Sequence, residues 1–245
     1  MPARPTRGFL ALALAAIAPH ALAGAFGVSP IRVDLDSSSR TGLVTVTNED
    51  ERKLYFQLKL FEWTQSAAGE DQLAESSDLI FFPQILTVDP KDKRLVRVGV
   101  KSPPAGAERA FRLFIEELPD PNEPSSGGAQ IAVRLRFGVP IFLAGAKGEA
   151  LPEITRVETP KGAIRVAIRN NGTRHIRFED VSALSGGKVV TKAAGWYVFP
   201  GATRSFSLPV TAHDCPVPAA LEIRAAGDGK EARAKLDVTP ALCAP

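Results

Sequence analysis

The stretch AQIAVRLRFGVPIFL, residues 129–143, decides the fold. Ile131, Val133, Leu135, Phe137, Val139 and Ile141 fall on one face of an extended chain, and Ala132, Arg134, Arg136 and Gly138 fall on the other. A helix would scatter both sets, so the segment reads as a strand. Six apolar positions in register exceed a strand of ordinary length, so part of the apolar face projects past its own domain's core. Two readings follow from this. The strand is either the long centre of a sandwich, or an exposed edge kept for pairing with a partner.

Outward from that strand the rest of the chain is also built of short alternating runs. Twenty prolines and twenty glycines punctuate them, and helix signals are scarce. The runs fall at 27–35, 42–48, 53–64, 79–83, 85–88, 94–100 and 109–118. In 53–64 both faces are apolar, with Leu54, Phe56, Leu58 and Leu60 opposite Tyr55, Phe61 and Trp63, as for a strand covered on both sides. Residues 65–77 are polar and read as a surface loop. The Pro/Gly/Ser-rich loop PDPNEPSSGG, 119–128, closes a long hairpin onto the opening strand. These seven strands and the hairpin predict one immunoglobulin-like sandwich. Beyond a linker at 144–152, runs at 163–170, 176–184, 195–199, 203–208, 221–225 and 232–238 predict a second, smaller one, with Asn170-Asn171-Gly172 as a turn signal. The expected organisation is all-β, with a first domain over 24–145 and a second over 146–245.

The N-terminus is set apart from the fold. Arg4 and Arg7 precede the apolar run 9–17, and Ala21-Leu22-Ala23 offers small residues to a signal peptidase. Cleavage is expected after Ala23, or after Ala25 on the second small-residue pattern Ala23-Gly24-Ala25, and residues 1–23 are read as a signal peptide. The mature chain is then an exported protein. Losing two arginines leaves 28 basic against 27 acidic side chains, a formal charge of +1. That balance argues against a nucleic-acid or anionic-membrane binder, which carries a concentrated basic excess. The only two cysteines, Cys215 and Cys243, read as one disulfide in an oxidising compartment.

Catalytic signatures are lacking. The mature chain keeps His175 and His213, in different parts of the second domain, and it has no G-x-S-x-G, H-E-x-x-H or glycine-rich phosphate loop. No metal, cofactor or small-molecule substrate is expected, and the function sought is a binding surface.

Six segments in fixed order then carry a resemblance. VSPIRVDL (28–35), TVTNED (45–50), FEWTQ with GEDQLAESSDLIFFP (61–65 and 69–83), RLVRVGV (94–100), ERAFRLFIEELP (108–119) and VRLRFGVPIFL (133–143) resemble the periplasmic pilus-assembly chaperones of the chaperone/usher pathway. The branch they are most similar to serves archaic, spore-coat-type fimbriae. AIRVAIRNNGTRHIRFEDV (163–181) and GWYVFPGATRSF (195–206) resemble that branch's second domain. The resemblance implies two immunoglobulin-like domains in an L-shaped arrangement, a periplasmic location, pilus subunits as clients and an outer-membrane usher as recipient. It also implies that one strand is lent to the subunit, pairing its open backbone groups and filling its core groove with alternate side chains. On that reading Ile131, Val133 and Leu135 are inserted, with Phe137 and Val139 extending the set. The same exposed edge allows self-association of the free form.

A basic anchor for the subunit's terminal carboxylate is implied too. The family's first-strand arginine corresponds to Arg32, whose planar fork suits a carboxylate. The family's second cation, a lysine near the end of the lending strand, is replaced by Pro140, and Arg97 and Arg112 are the expected substitutes. Arg134 and Arg136 lie nearer that strand but serve to keep its outer edge soluble. A pilus subunit or adhesin is the competing reading, though a subunit should be one incomplete domain with an N-terminal extension. A hydrolase on a sandwich scaffold is the third, and it lacks a catalytic constellation.

Overall fold

A computed structural model describes residues 26–102, 105–122, 133–145, 147–211 and 220–238. All regular structure among them is strand: β1 (Phe26–Ser29), β2 (Val33–Leu35), β3 (Thr41–Asn48), β4 (Leu54–Gln65), β5 (Asp71–Glu75), β6 (Leu79–Phe82), β7 (Ile85–Val88), β8 (Lys93–Val100), β9 (Arg109–Leu118) and β10 (Arg136–Leu143) build the first sandwich. The second holds β11 (Pro152–Glu158), β12 (Ala163–Asn170), β13 (Ile176–Arg177), β14 (Asp180–Ser185), β15 (Lys188–Ala194), β16 (Tyr197–Val198), β17 (Thr203–Pro209), β18 (Ala220–Gly227) and β19 (Lys230–Asp237).

In the first sandwich a sheet ordered β1-β3-β8-β6 faces one ordered β2-β10-β9-β4-β5, with β7 also paired to β4. The period-2 pattern explains the packing. Val44, Val46, Val96 and Val98 from one sheet meet Phe56, Leu58, Phe111, Leu113, Ile115, Val139 and Ile141 from the other in one closed core. Each such side chain stabilises the fold by about 1.5–3 kcal/mol when fully buried. A second core gathers Ile164, Val166, Ile168, Ile176, Phe178, Val181, Phe206, Leu208 and Ile223.

Several sequence expectations need correction. The run 27–35 is two strands in different sheets: β1 pairs β3, whereas β2 pairs β10 in parallel. The break falls around Pro30, and Ile31 is left 71% exposed. Residues 65–77 are not a simple surface loop, because Asp71–Glu75 folds back on β4 as β5 with Trp63 opposite Leu73. Asn170-Asn171-Gly172 does not close a hairpin, since β12 pairs β11 and β17 while β13 pairs β16. Instead the Asn170 amide donates to the carbonyls of Arg174 (2.7 Å) and Val198 (3.0 Å), and its oxygen accepts the N–H groups of Leu151 and Gly172. Asn48 makes the same kind of corner in the first sandwich, donating to the Arg52, Val88 and Asp89 carbonyls and accepting from the Asp50 N–H. Both asparagines are buried, so both must be satisfied this way.

The opening strand is also shorter than its pattern. β10 begins at Arg136, Val133–Leu135 precede it, and Ile131 lies outside the described residues. Cys215 and Cys243, with the expected disulfide, and the expected signal peptide lie outside them as well.

Candidate functional site: an open strand edge and a cationic cleft

β10 is flanked on one side by β9 along its whole length, Arg136 opposite Glu116 through Leu143 opposite Arg109. On its other side β2 covers only Ile141, Phe142 and Leu143. Among the described residues no strand pairs with the outer edge from Arg136 to Pro140. Pro140 has no N–H to donate, and an edge is where a strand tolerates that. Just upstream, the Leu135 carbonyl accepts the Glu117 N–H at 3.0 Å, so the chain there still follows β9.

Burial divides the alternating apolar set. Val133 is 77% exposed and Leu135 39%, Phe137 is half-buried against the core, and Val139 and Ile141 are fully buried inside it. Val139 is therefore corrected from an inserted side chain to a core residue of its own sandwich. Burial thus splits one alternating face into an exposed half and a core half. From Val139 onward the opposite sheet covers it, and before Phe137 nothing described here does.

The other face of β10 changes character from Arg136 and Gly138 to Phe142. Phe142 joins Trp63 of β4, Ala110 of β9, and Tyr197 and Phe199 of the second sandwich in a third apolar cluster, between the two larger cores. Trp63 meets Tyr197, Phe199 and Trp196 edge-on at centroid distances of 5.2, 4.7 and 6.3 Å. Gly145 lets the chain turn there, because a Cβ would lie 2.3 Å from the Gly106 carbonyl oxygen.

Guanidinium groups ring this cluster. Arg32 lies 5.0 Å from the centre of the Phe142 ring and holds Asp34 in a forked pair at 2.8–3.0 Å, with 40% of its side chain exposed. Burial lowers its pKa, but the Asp34 hydrogen bond and charge outweigh that and hold it above its usual value. Arg112 stacks on Trp63 at 3.6 Å, and its buried Nε–H has no acceptor among the described residues. Burial pulls its pKa down, the charges of Asp71 and Tyr197 only partly opposing. Arg112 is thus a half-buried cation without a carboxylate in contact among the described residues. Burial pushes the Tyr197 phenol up, against the pull of Arg177, Arg32 and Arg112. Gly138 makes room for this arrangement, since a Cβ there would lie 3.1 Å from Phe114 and 3.2 Å from the Arg112 Cδ.

Arg97 does not belong to this group. It sits exposed on β8 in the opposite sheet, in register between Phe82 and Leu43, and is corrected out of the anchor. Arg136 stacks on Phe114 at 3.6 Å and pairs with Glu116 at 2.8 Å, which fits a role in holding the outer face of β10. Sequence reasoning missed Trp63, Phe142, Tyr197, Glu108, His175 and Arg177 as cleft residues. Phe142 carried a signal, an aromatic on the arginine-bearing face of the strand, and so did the aromatic run at 196–199. Glu108 and His175 carried none, being 67 positions apart.

Comparison with known proteins agrees with this geometry. The family model for pili and flagellar-assembly chaperones, PapD N-terminal domain, matches residues 25–146. The probable fimbrial chaperone LpfB of Escherichia coli O157:H7 is 25% identical over 180 residues, covering 71% of this chain and 75% of that protein. Among solved structures, the CsuC–CsuE chaperone–tip adhesion subunit pre-assembly complex from the archaic Csu pili of Acinetobacter baumannii matches with a TM-score of 0.64 at 20% identity, over 86% of this chain and 97% of the other. The Pseudomonas aeruginosa CupB2 chaperone matches with 0.53 at 17% identity, over 85% and 97%. Two immunoglobulin-like sandwiches, an open β10 edge and the match over the whole first sandwich place the chain in one family: it belongs to the PapD-type pilus-assembly chaperones.

Proposed function

We propose that this chaperone works in the periplasm, non-enzymatically, by lending the segment that runs from residue 131 into β10 to a pilus subunit, and that it then passes the subunit to an outer-membrane usher. The observation that carries the reading is the unpaired edge of β10 together with the exposed apolar side chains of Val133 and Leu135. An unpaired strand with alternate apolar side chains is a template for strand addition. Ile131, Val133 and Leu135 would enter the subunit's groove, and Phe137 would seal the junction between the two cores.

The subunit's terminal carboxylate would be received by Arg32 and Arg112. Arg112 is the stronger candidate, because a half-buried guanidinium without a carboxylate gains from one, whereas Arg32 already holds Asp34. Likeness to the archaic Csu chaperone supports clients of that fimbrial type. The chaperone pairings named for related structures, a tip adhesion subunit with CsuC and the SafA pilin with SafB, support a protein client.

Co-expression of tagged wild type, Leu135→Arg and Arg112→Met with a candidate subunit tests the reading. Wild type should retain the subunit, and both variants should lose most of it while keeping the wild-type far-UV CD spectrum. Equal retention by all three folded proteins would overturn it.

A further inference from the structure

Another open edge lies in the sheet that does not carry the lending strand. β6 ends the order β1-β3-β8-β6, and among the described residues no strand pairs with its outer side. Exposed edges are ordinarily blunted by charged side chains, by proline or by a bulge. β6 reads Leu79-Ile80-Phe81-Phe82, with no charge, no proline and no register shift against β8.

Leu79 is buried and Phe81 packs against the first core, so both side chains face inward. Ile80 and Phe82 face outward, 54% and 76% exposed. Leu95 of β8 and Leu43 of β3 lie exposed on the same outer face. That face also holds a recess of about 170 Å³ lined by Thr41, Ile80, Phe81, Phe82, Arg97 and Gly99. Gly99 keeps the recess open without being needed for packing, since a Cβ there would meet Thr41 and Ile80 at an ordinary 3.5 and 3.7 Å. The backbone of β6 is open too. The Lys101 N–H bonds to the Asp78 carbonyl at 3.0 Å. By antiparallel alternation Ile80 and Phe82 then exchange their bonds with β8, and Leu79 and Phe81 turn their N–H and C=O groups outward.

We propose that β6 pairs antiparallel with β6 of a second copy of this chain, about a two-fold axis at Phe81, joining two four-stranded sheets edge to edge. The edge is complementary to itself in three respects. Phe81 is turned outward and sits on the axis, so it exchanges both backbone bonds with Phe81 of the second copy. Ile80 then lies opposite Phe82 of the second copy at each end of the seam, a β-branched side chain against an aromatic one. Like charges also stay apart. Arg97 is one strand in from the seam, and a strand spacing of about 4.8 Å sets the two copies of it about 15 Å from each other, beyond a screening length of about 8 Å. A four-residue seam is small, so the pairing is weak and transient. β10 belongs to the opposite sheet, so each copy keeps its lending strand free.

Sedimentation velocity of the exported protein from about 1 μM to about 1 mM tests the pairing. Wild type should pass from monomer to dimer as concentration rises. Ile80→Lys and Phe82→Glu should each weaken the dimer at least tenfold while keeping the wild-type far-UV CD spectrum and urea midpoint, both positions being exposed. Mixing these two variants should restore the dimer. The mixed pair sets the new cation opposite the new carboxylate at one end of the seam and keeps Phe82 against Ile80 at the other. Leu135→Arg should dimerise as wild type does. Amide exchange in concentrated wild type should slow at Phe81 and stay unchanged at Ile80 and Phe82, which are already bonded to β8. A wild type that stays monomeric, variants that stay monomeric when mixed, an unprotected Phe81 amide in the dimer, or a dimer lost in Leu135→Arg would each overturn the pairing through β6.

Discussion

Val139→Ala and Val133→Asp separate the two halves of one alternating face. Val139 is fully buried in the first core, so truncation removes two methyl-sized groups at about 0.8 kcal/mol each, plus a cavity term where β10 cannot collapse onto the opposite sheet. The expected loss is about 2 kcal/mol. Val133, at 77% exposure, touches little of its own domain, so Val133→Asp should change stability by no more than about 0.5 kcal/mol. Inside a subunit's groove the order reverses. Burying a valine there contributes about 1.5 kcal/mol, a factor of about ten in affinity, and an aspartate in its place adds the cost of a buried charge. Urea titration followed by far-UV CD gives the stabilities, and surface-immobilised subunit gives the affinities. Val139→Ala should unfold at lower urea yet bind normally below its midpoint, and Val133→Asp should unfold as wild type and bind at least tenfold more weakly. If Val133→Asp is destabilised as much as Val139→Ala, or binds as wild type, the division of the strand at Phe137 is wrong.

Two further outcomes follow from close contacts. Gly138→Ala places a Cβ about 3.1–3.2 Å from Phe114 and Arg112, so subunit binding should fall severalfold with a stability loss below about 1 kcal/mol, measured by the same pair of assays. Asn170→Ala leaves the Arg174 and Val198 carbonyls and the Leu151 N–H without their partner, and should lower stability by about 2–3 kcal/mol in urea while the first sandwich keeps its own unfolding transition.

The sequence by itself determined what period-2 alternation determines. The apolar runs named the strands that form the first core, from Val44 and Val46 through Phe111 and Leu113 to Ile141, because a strand offers every second side chain to one face whatever surrounds it. It also singled out the strand with an apolar face longer than a core requires. Alternation is silent on where a strand stops being covered, so the division between Leu135 and Val139 came only from the packing of the opposite sheet. The same holds for the cations. Arg97 and Arg112 look alike in sequence, each opposite an apolar face, yet β8 and β9 lie in different sheets, and only β9 borders the second sandwich. The cleft is assembled from Arg32, Trp63, Glu108, Arg112, Phe142, His175 and Tyr197, drawn from seven places in the chain. Their meeting depends on how the two sandwiches dock, and a local pattern within either one carries no information about that contact.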